Sequence, residues 1–257
     1  MNDMTADQRD FVSKVPAITL GFWIIKILAT TLGETAGDTV SMTMDLGYLV
    51  GTAFFGALLA ALVWAQIAAR KFHPALYWAT IIASTTAGTT LADFATRSLG
   101  VGYPGGSLLL FALVAASLGA WRAVVGRIDT DRIGDARTEA FYWLTITFSQ
   151  TLGTALGDWV ADNPALGYGG AALLFGALLA LATALWFATR FSRVVLFWAI
   201  FILTRPLGAT VGDFLDKPLA KGGLEFSRPL ASLVLAGAIV VLIALLPQRA
   251  GNHPKSS

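Results

Sequence analysis

WIIKILATTLGETAGD, Trp23 to Asp38, opens as a run apolar enough for a membrane interior and closes on glycines and acids. The pattern returns from Trp78 to Asp93, from Trp143 to Asp158 and from Trp198 to Asp213, each without a gap. Within it, Gly33, Gly88, Gly153 and Gly208 hold one register, and Gly37, Ala92, Gly157 and Gly212 hold a second, just before the Asp. Thr31, Thr86 and Thr151 share a third register, which Pro206 interrupts in the last copy. Successive Trp residues lie 55, 65 and 55 residues apart, so the halves of the chain are offset by 120. The hexapeptide FGALLA at residues 55–60 recurs unchanged at residues 175–180, at that same offset. The simplest history is a two-helix unit that doubled twice.

Composition sets the class. The 257 residues are 56% apolar and only 13% charged, with mean hydropathy +0.67. Apolar stretches run about 20 residues between short polar breaks, the length that crosses ~30 Å of hydrocarbon. The expected fold is an all-α integral membrane protein with eight transmembrane helices arranged as four parallel two-helix repeats. Spans are expected near 16–38, 46–69, 75–96, 104–125, 138–160, 167–189, 193–214 and 228–247. The corresponding divisions are an N-terminal segment 1–14, repeats at 15–70, 71–126, 138–190 and 191–247, a basic linker 127–137 and a tail 248–257. The polar first 14 residues show no cleavable leader, so the first apolar run is expected to be a true span.

Lys and Arg orient the chain. Twelve of them (Arg9, Lys14, Arg70, Lys71, Arg122, Arg127, Arg132, Arg137, Arg190, Arg193, Arg249 and Lys255) fall on the side of the termini. Four (Arg97, Lys217, Lys221 and Arg228) fall opposite, and Lys26 and Arg205 fall within spans. The positive-inside tendency places both termini in the cytoplasm and all four Asp residues at the far ends of the odd helices. A two-helix unit returns to its starting side, so the units are parallel, related about the membrane normal. A net charge of +2 gives no nucleic-acid footprint, and the absence of Cys removes disulfides and thiolate sites. No cofactor motif is present, and nothing fixes an oligomeric state. The expected partners are the lipid bilayer and a small cation or proton.

Four tandem two-helix units with one Trp each at this register, over residues 14–247, resemble a bacterial membrane family made of repeats of unknown function. The resemblance implies this architecture and the inner membrane, and carries no activity.

The residues support a packing role and an ion role together. Gly33/Gly37, Gly88/Ala92, Gly153/Gly157 and Gly208/Gly212 lie one helical turn apart, the small-xxx-small spacing that lets backbones approach in lipid. On that view each Asp reaches interfacial water. Yet a carboxylate near a helix C-terminus opposes the macrodipole, and the choice is made four times. Asp38, Asp93, Asp158 and Asp213, with Glu34 and the hydroxyls of Thr31, Thr86 and Thr151, form an oxygen-only donor set suited to a hard cation, whose identity the sequence leaves open.

Asymmetry among the repeats sharpens this. Glu34 and Lys26 occur only in the first unit, and Arg205 replaces Thr30, Thr85 and Gln150 in the last. Lys26 can pair with Glu34 and Arg205 with an Asp; alternatively Glu34 and Asp38 form an ion site with Lys26 and Arg205 as gate or counter-charge. Pro206 is expected to break the seventh helix. The leading expectation is a transporter or exporter of a small hard cation, with proton coupling conceivable. The alternatives are a cation channel and a structural or lipid-binding membrane protein. An enzyme is not expected: an aspartyl-protease site needs two specialised carboxylates, and His73 and His253 both fall in loops.

Overall fold

The structure is a computed structural model that describes residues 14–128, 133 and 135–251, without the side chain of Lys221. Arg9, Arg132, His253 and Lys255 lie outside the described residues. Eight α-helices make up the described chain: α1 Leu20–Asp38, α2 Gly47–Ala68, α3 Pro74–Asp93, α4 Gly102–Val125, α5 Ala136–Ala161, α6 Gly167–Ala188, α7 Arg193–Asp216 and α8 Arg228–Leu245. Short π-helical turns, Thr39–Thr43 and Phe94–Ser98, prolong α1 and α3 past their Asp residues. Starts follow local chemistry: Thr19 accepts from the Phe22 amide, Asp135 from the Arg137 and Thr138 amides, and Pro74 occupies the first turn of α3.

The odd helices close a ring. α1 packs on α3, α3 on α5, α5 on α7 and α7 back on α1, while the diagonal pairs make no comparable contact. The even helices form an outer layer, each on the odd helix that follows it: α2 on α3, α4 on α5, α6 on α7, and α8 on α1, which completes the circle. Each repeat therefore buries its second helix against the next unit rather than against itself.

The glycines show why the ring is so tight. A Cβ on Gly33 would collide with Thr85 of α3, on Gly88 with the Gln150–Thr151 backbone of α5, on Gly153 with Arg205 and Pro206 of α7, and on Gly208 with Thr30 of α1. One register thus receives the side chain or backbone of the next helix at all four seams. The second register repeats this, with Gly37 against Thr89, Gly157 against Ala209 and Gly212 against Glu34. The sequence expectation of close helix seams agrees with this geometry.

Five helices, α2, α4, α6, α7 and α8, are long and apolar enough to cross a membrane. The three that do not qualify, α1, α3 and α5, are inner helices rich in Thr, Ser, Gly and acids. Their polar faces meet one another, so the apolarity of the chain concentrates in the outer layer. That layer exposes Phe54, Trp64, Leu108, Phe111, Leu173, Phe187, Leu233 and Leu245 among many others. An exposed apolar belt on this scale belongs against lipid or a partner, not water.

Pro206 does not break its helix. α7 is continuous from Arg193 to Asp216 with the proline inside it. Its ring packs into the space left by Gly153, where a Cβ would lie 3.0 Å from Pro206 Cδ, and its carbonyl still accepts from Thr210 Oγ1 at 2.9 Å. The proline removes one i−4 bond, and the packing of α5 holds the helix through it.

Candidate functional site

Residues four apart stack on one face of an α-helix, rising about 6 Å per step. Down the inner ring this places side chains in successive layers. The first is Phe22, Tyr77, Tyr142 and Phe197; the second is Lys26, Ile81, Ile146 and Phe201; the third is Thr30, Thr85, Gln150 and Arg205; the fourth is Glu34, Thr89, Thr154 and Ala209; the fifth is the four Asp residues. Every member of the second, third and fourth layers is buried.

Aromatic packing closes the first layer. Tyr77 and Tyr142 hydroxyls meet at 2.8 Å, and Tyr77 also packs on Trp78 and Trp143. Trp121 stacks edge-on against Trp198, so the repeated tryptophans build this end of the core. Beside it, Lys14 joins buried Glu139 at 2.5 Å and donates to the Ile67 carbonyl, tying the segment before α1 to α5 and α2.

Arg205 fills the middle. It is fully buried and reaches across the ring from α7 to all three other inner helices. Its Nη2 donates to Glu34 Oε2 at 3.1 Å, Thr89 Oγ1 at 2.5 Å and Thr154 Oγ1 at 2.5 Å. The absent side chain at Gly153 is the slot through which its stem passes, and Gly212 leaves the equivalent slot for Glu34. Two of the three charges unique to one repeat, Arg205 and Glu34, are therefore fitted to glycines of a neighbouring helix.

This corrects the two ion pairs expected from the sequence. Lys26 does not bond Glu34: its Nζ lies 4.2 Å from the centre of the Phe201 ring and has no hydrogen-bond partner. Arg205 pairs with Glu34, not with an Asp. Eight residues separate Lys26 from Glu34, about 12 Å of helix rise, whereas Arg205 stands one layer from Glu34 and points at it.

The Asp residues converge in two bridged pairs. Arg97 joins Asp93 Oδ1 at 3.0 Å and Asp158 Oδ2 at 2.9 Å. Lys217 joins Asp213 Oδ1 at 2.8 Å and also holds Asp38. Arg97 and Lys217 each stand four residues after an Asp and are themselves 120 residues apart, so the two bridges are copies related by the doubling of the chain. Tyr48 accepts from Arg97 Nη1 at 3.1 Å and so buttresses the first bridge. Arg228 adds to the second through Asp216, at 3.1 Å. Burial would lower the pKa of Lys217, but Asp213, Asp38 and Asp216 outweigh it and hold the ammonium charged well above the usual lysine range.

The expectation that these carboxylates reach interfacial water fails. Asp38, Asp93, Asp158 and Asp213 are 0%, 1%, 4% and 1% exposed. The helices continue about a turn beyond them, and the bridging cations lie over them. Thr31, Thr86 and Thr151 each donate back to their own helix, to the carbonyls of Ile27, Ile82 and Thr147. Glu34, Asp38 and Asp213 come together instead: one oxygen from each lies within 4.8 Å of the others, and Asp38 Oδ1 has no hydrogen-bond partner. Such a trio of oxygens could hold a hard cation.

Arg97, Lys217 and Asp216 are the residues that reading the repeat missed. The signal was present: a basic residue four after the Asp in repeats two and four, at the offset of 120.

Fold and site define an all-helical, four-repeat protein with membrane-length outer helices and a charged, buried axis. Four stretches, residues 21–72, 76–126, 141–192 and 196–249, match the repeat described as a Repeat of Unknown Function (DUF347), and the chain belongs to that family. No curated protein and no solved structure matches it.

Proposed function

We propose that all eight helices cross a cytoplasmic membrane, with both termini in the cytoplasm, and that the ring of odd helices carries a small hard cation or its counter-moving proton along the axis. The observation that carries this reading is the convergence of Glu34, Asp38 and Asp213 carboxylate oxygens in a buried site whose Glu34 stands one layer from Arg205. Buried intramembrane carboxylates are costly, and they are kept where an ion pathway uses them. Arg205 is the counter-charge of that site: when a cation enters, Glu34 exchanges its guanidinium partner for the ion. The protein on this reading is a carrier, with no covalent chemistry. The Asp pairs bridged by Arg97 and Lys217 form its outer closure.

A structural role is the second reading, favoured by one observation: Arg205 lies across the ring and bonds residues of all three other inner helices, as a pin would. The same contacts count against a permanently open channel.

Cation-dependent thermal stability separates the readings. A ligand bound only by the folded state raises stability by about 2.7 kcal/mol at a hundred times its Kd. Mn²⁺, Mg²⁺, Ca²⁺ and Na⁺ are tested on purified wild type, Glu34→Gln and Asp213→Asn, followed by flux in proteoliposomes. The carrier reading expects one ion to stabilise wild type, to lose that effect in both variants and to move across vesicles. No stabilisation by any ion, with no flux, leaves the pin as the function of the axis.

A further inference from the structure

Among the described residues, Lys26 is the one buried cation of the inner ring that no carboxylate or hydrogen-bond partner meets. It is 0% exposed, and only the Phe201 ring covers its ammonium. The carboxylates of the axis are committed elsewhere, Glu34 to Arg205 and the four Asp residues to Arg97, Lys217 and Arg228. A buried charge without a partner costs far more than a hydrogen bond returns.

Lys26 is not alone in lacking a partner. Thr85 Oγ1, Gln150 Nε2 and Arg205 Nε, in the layer directly above, are equally buried and also unpaired. With Lys26 Nζ they make four orphaned donors, one from each of the four inner helices, on two consecutive layers. Orphaned buried polar atoms are rare enough in folded proteins that four together call for an explanation. All four can donate, and two belong to cations. Gln150 Oε1 is also unpaired, so its amide is free to turn either end inward.

We propose that the axis holds a monovalent anion, a halide, between Lys26 and Arg205. The charge count selects the class: with Arg205 neutralised by Glu34, protonating Lys26 adds one positive charge to the pair of layers, and a single negative charge beside it balances that and holds the proton on. Size selects it further. Consecutive layers are separated by about 6 Å of helix rise, with Ile81, Ile146 and Phe201 sharing the layer of Lys26 and the Arg205–Glu34 pair lying beyond the next. A monatomic ion fits that description; a tetrahedral oxyanion with several charges does not. Lys26 supplies the charge, while Thr85 and Gln150 give neutral donors from α3 and α5. The site counts on Glu34 holding Arg205, so it belongs to the state in which Glu34, Asp38 and Asp213 hold no cation, and it does not require that they ever take one.

The test measures the thermal midpoint of the detergent-purified protein in sodium chloride or bromide against sodium gluconate, at constant sodium and ionic strength. Holding sodium fixed leaves the carboxylate site unprobed, so failure here says nothing about the carrier reading. The expected result is a saturable rise on the order of a few degrees in halide. Lys26→Met abolishes it, and Gln150→Leu and Thr85→Val each weaken the apparent affinity about tenfold, the loss of one hydrogen bond in a dry site. If Lys26→Met does not fold, the two neutral variants still decide. A midpoint identical in halide and gluconate overturns the proposal, as does a halide effect that all three variants keep unchanged, since that places the anion on the surface.

Discussion

Arg205 stands where the other repeats have Thr30, Thr85 and Gln150, and that one exchange turns a ring of small polar side chains into a charged crossing. Removing one partner of a buried pair leaves the other uncompensated, typically at about 3–5 kcal/mol, whereas replacing both is often nearly neutral. Arg205→Met is therefore expected to lower stability by about 3–5 kcal/mol, and Arg205→Met with Glu34→Gln to recover most of that loss, as read from thermal midpoints. A double variant that loses the sum of the two single losses would show that the two residues act independently. The glycine slots give a second test. Gly153→Ala puts a methyl into the stem of Arg205 and Gly208→Ala puts one into Thr30, each costing about 1–3 kcal/mol. Gly56→Ala and Gly237→Ala, inside helices where a Cβ meets nothing within 4 Å, are expected to leave stability unchanged or raise it by up to about 1 kcal/mol. The special status of Glu34, Lys26 and Arg205 was legible in the sequence, because aligned repeats expose the odd residue. Their partners were not, because two charges on one helix invite pairing while the real contact runs between helices 171 residues apart.

At the scale of elements, the bridges that cap the Asp layer follow from helix geometry as much as from charge. Arg97 and Lys217 lie one turn after Asp93 and Asp213, so each first meets the Asp of its own helix and then reaches the neighbour. The two differ in setting. The side chain of Arg97 is 31% exposed and that of Lys217 only 8%. Solvent screens the former, while the latter, with Arg228 beside it, neutralises a buried cluster of three Asp residues. Lys217→Met is expected to cost clearly more stability than Arg97→Met, and salt is expected to weaken the arginine bridge more. A reversed order in denaturation midpoints at low and high ionic strength would contradict this. Helix positions themselves were read from the sequence to within a few residues, since hydrophobic runs and Gly/Pro breaks mark them. The continuity of α7 was not, because the rule that proline breaks helices takes no account of Gly153 and Gly157 opposite it.

For the whole molecule, the decisive matter is whether the polar inner helices cross the membrane with the apolar outer ones. The spacing of the repeat foretold the count of helices, but not that each even helix would pack on the next repeat. That pattern makes α1, α3 and α5 interior: their Thr-rich faces are matched inside the ring, and α8, α2 and α4 cover them. A helix shielded in this way needs no apolar face toward lipid, which explains why length and hydropathy single out α2, α4, α6, α7 and α8 but not these three. Crossing by α3 puts Lys71 and Ser98 on opposite sides of the membrane, and crossing by α5 does the same for Arg137 and Asn163; all four are exposed. The chain contains no cysteine, so single substitutions at these positions can be labelled without background. With a membrane-impermeant maleimide on intact cells, Ser98→Cys and Asn163→Cys are expected to label from outside, and Lys71→Cys and Arg137→Cys only after permeabilisation. Labelling of Lys71 and Ser98 from one side would mean that α3 does not cross. The ring of odd helices, and with it an axis leading from one face of the membrane to the other, requires opposite sides for both pairs.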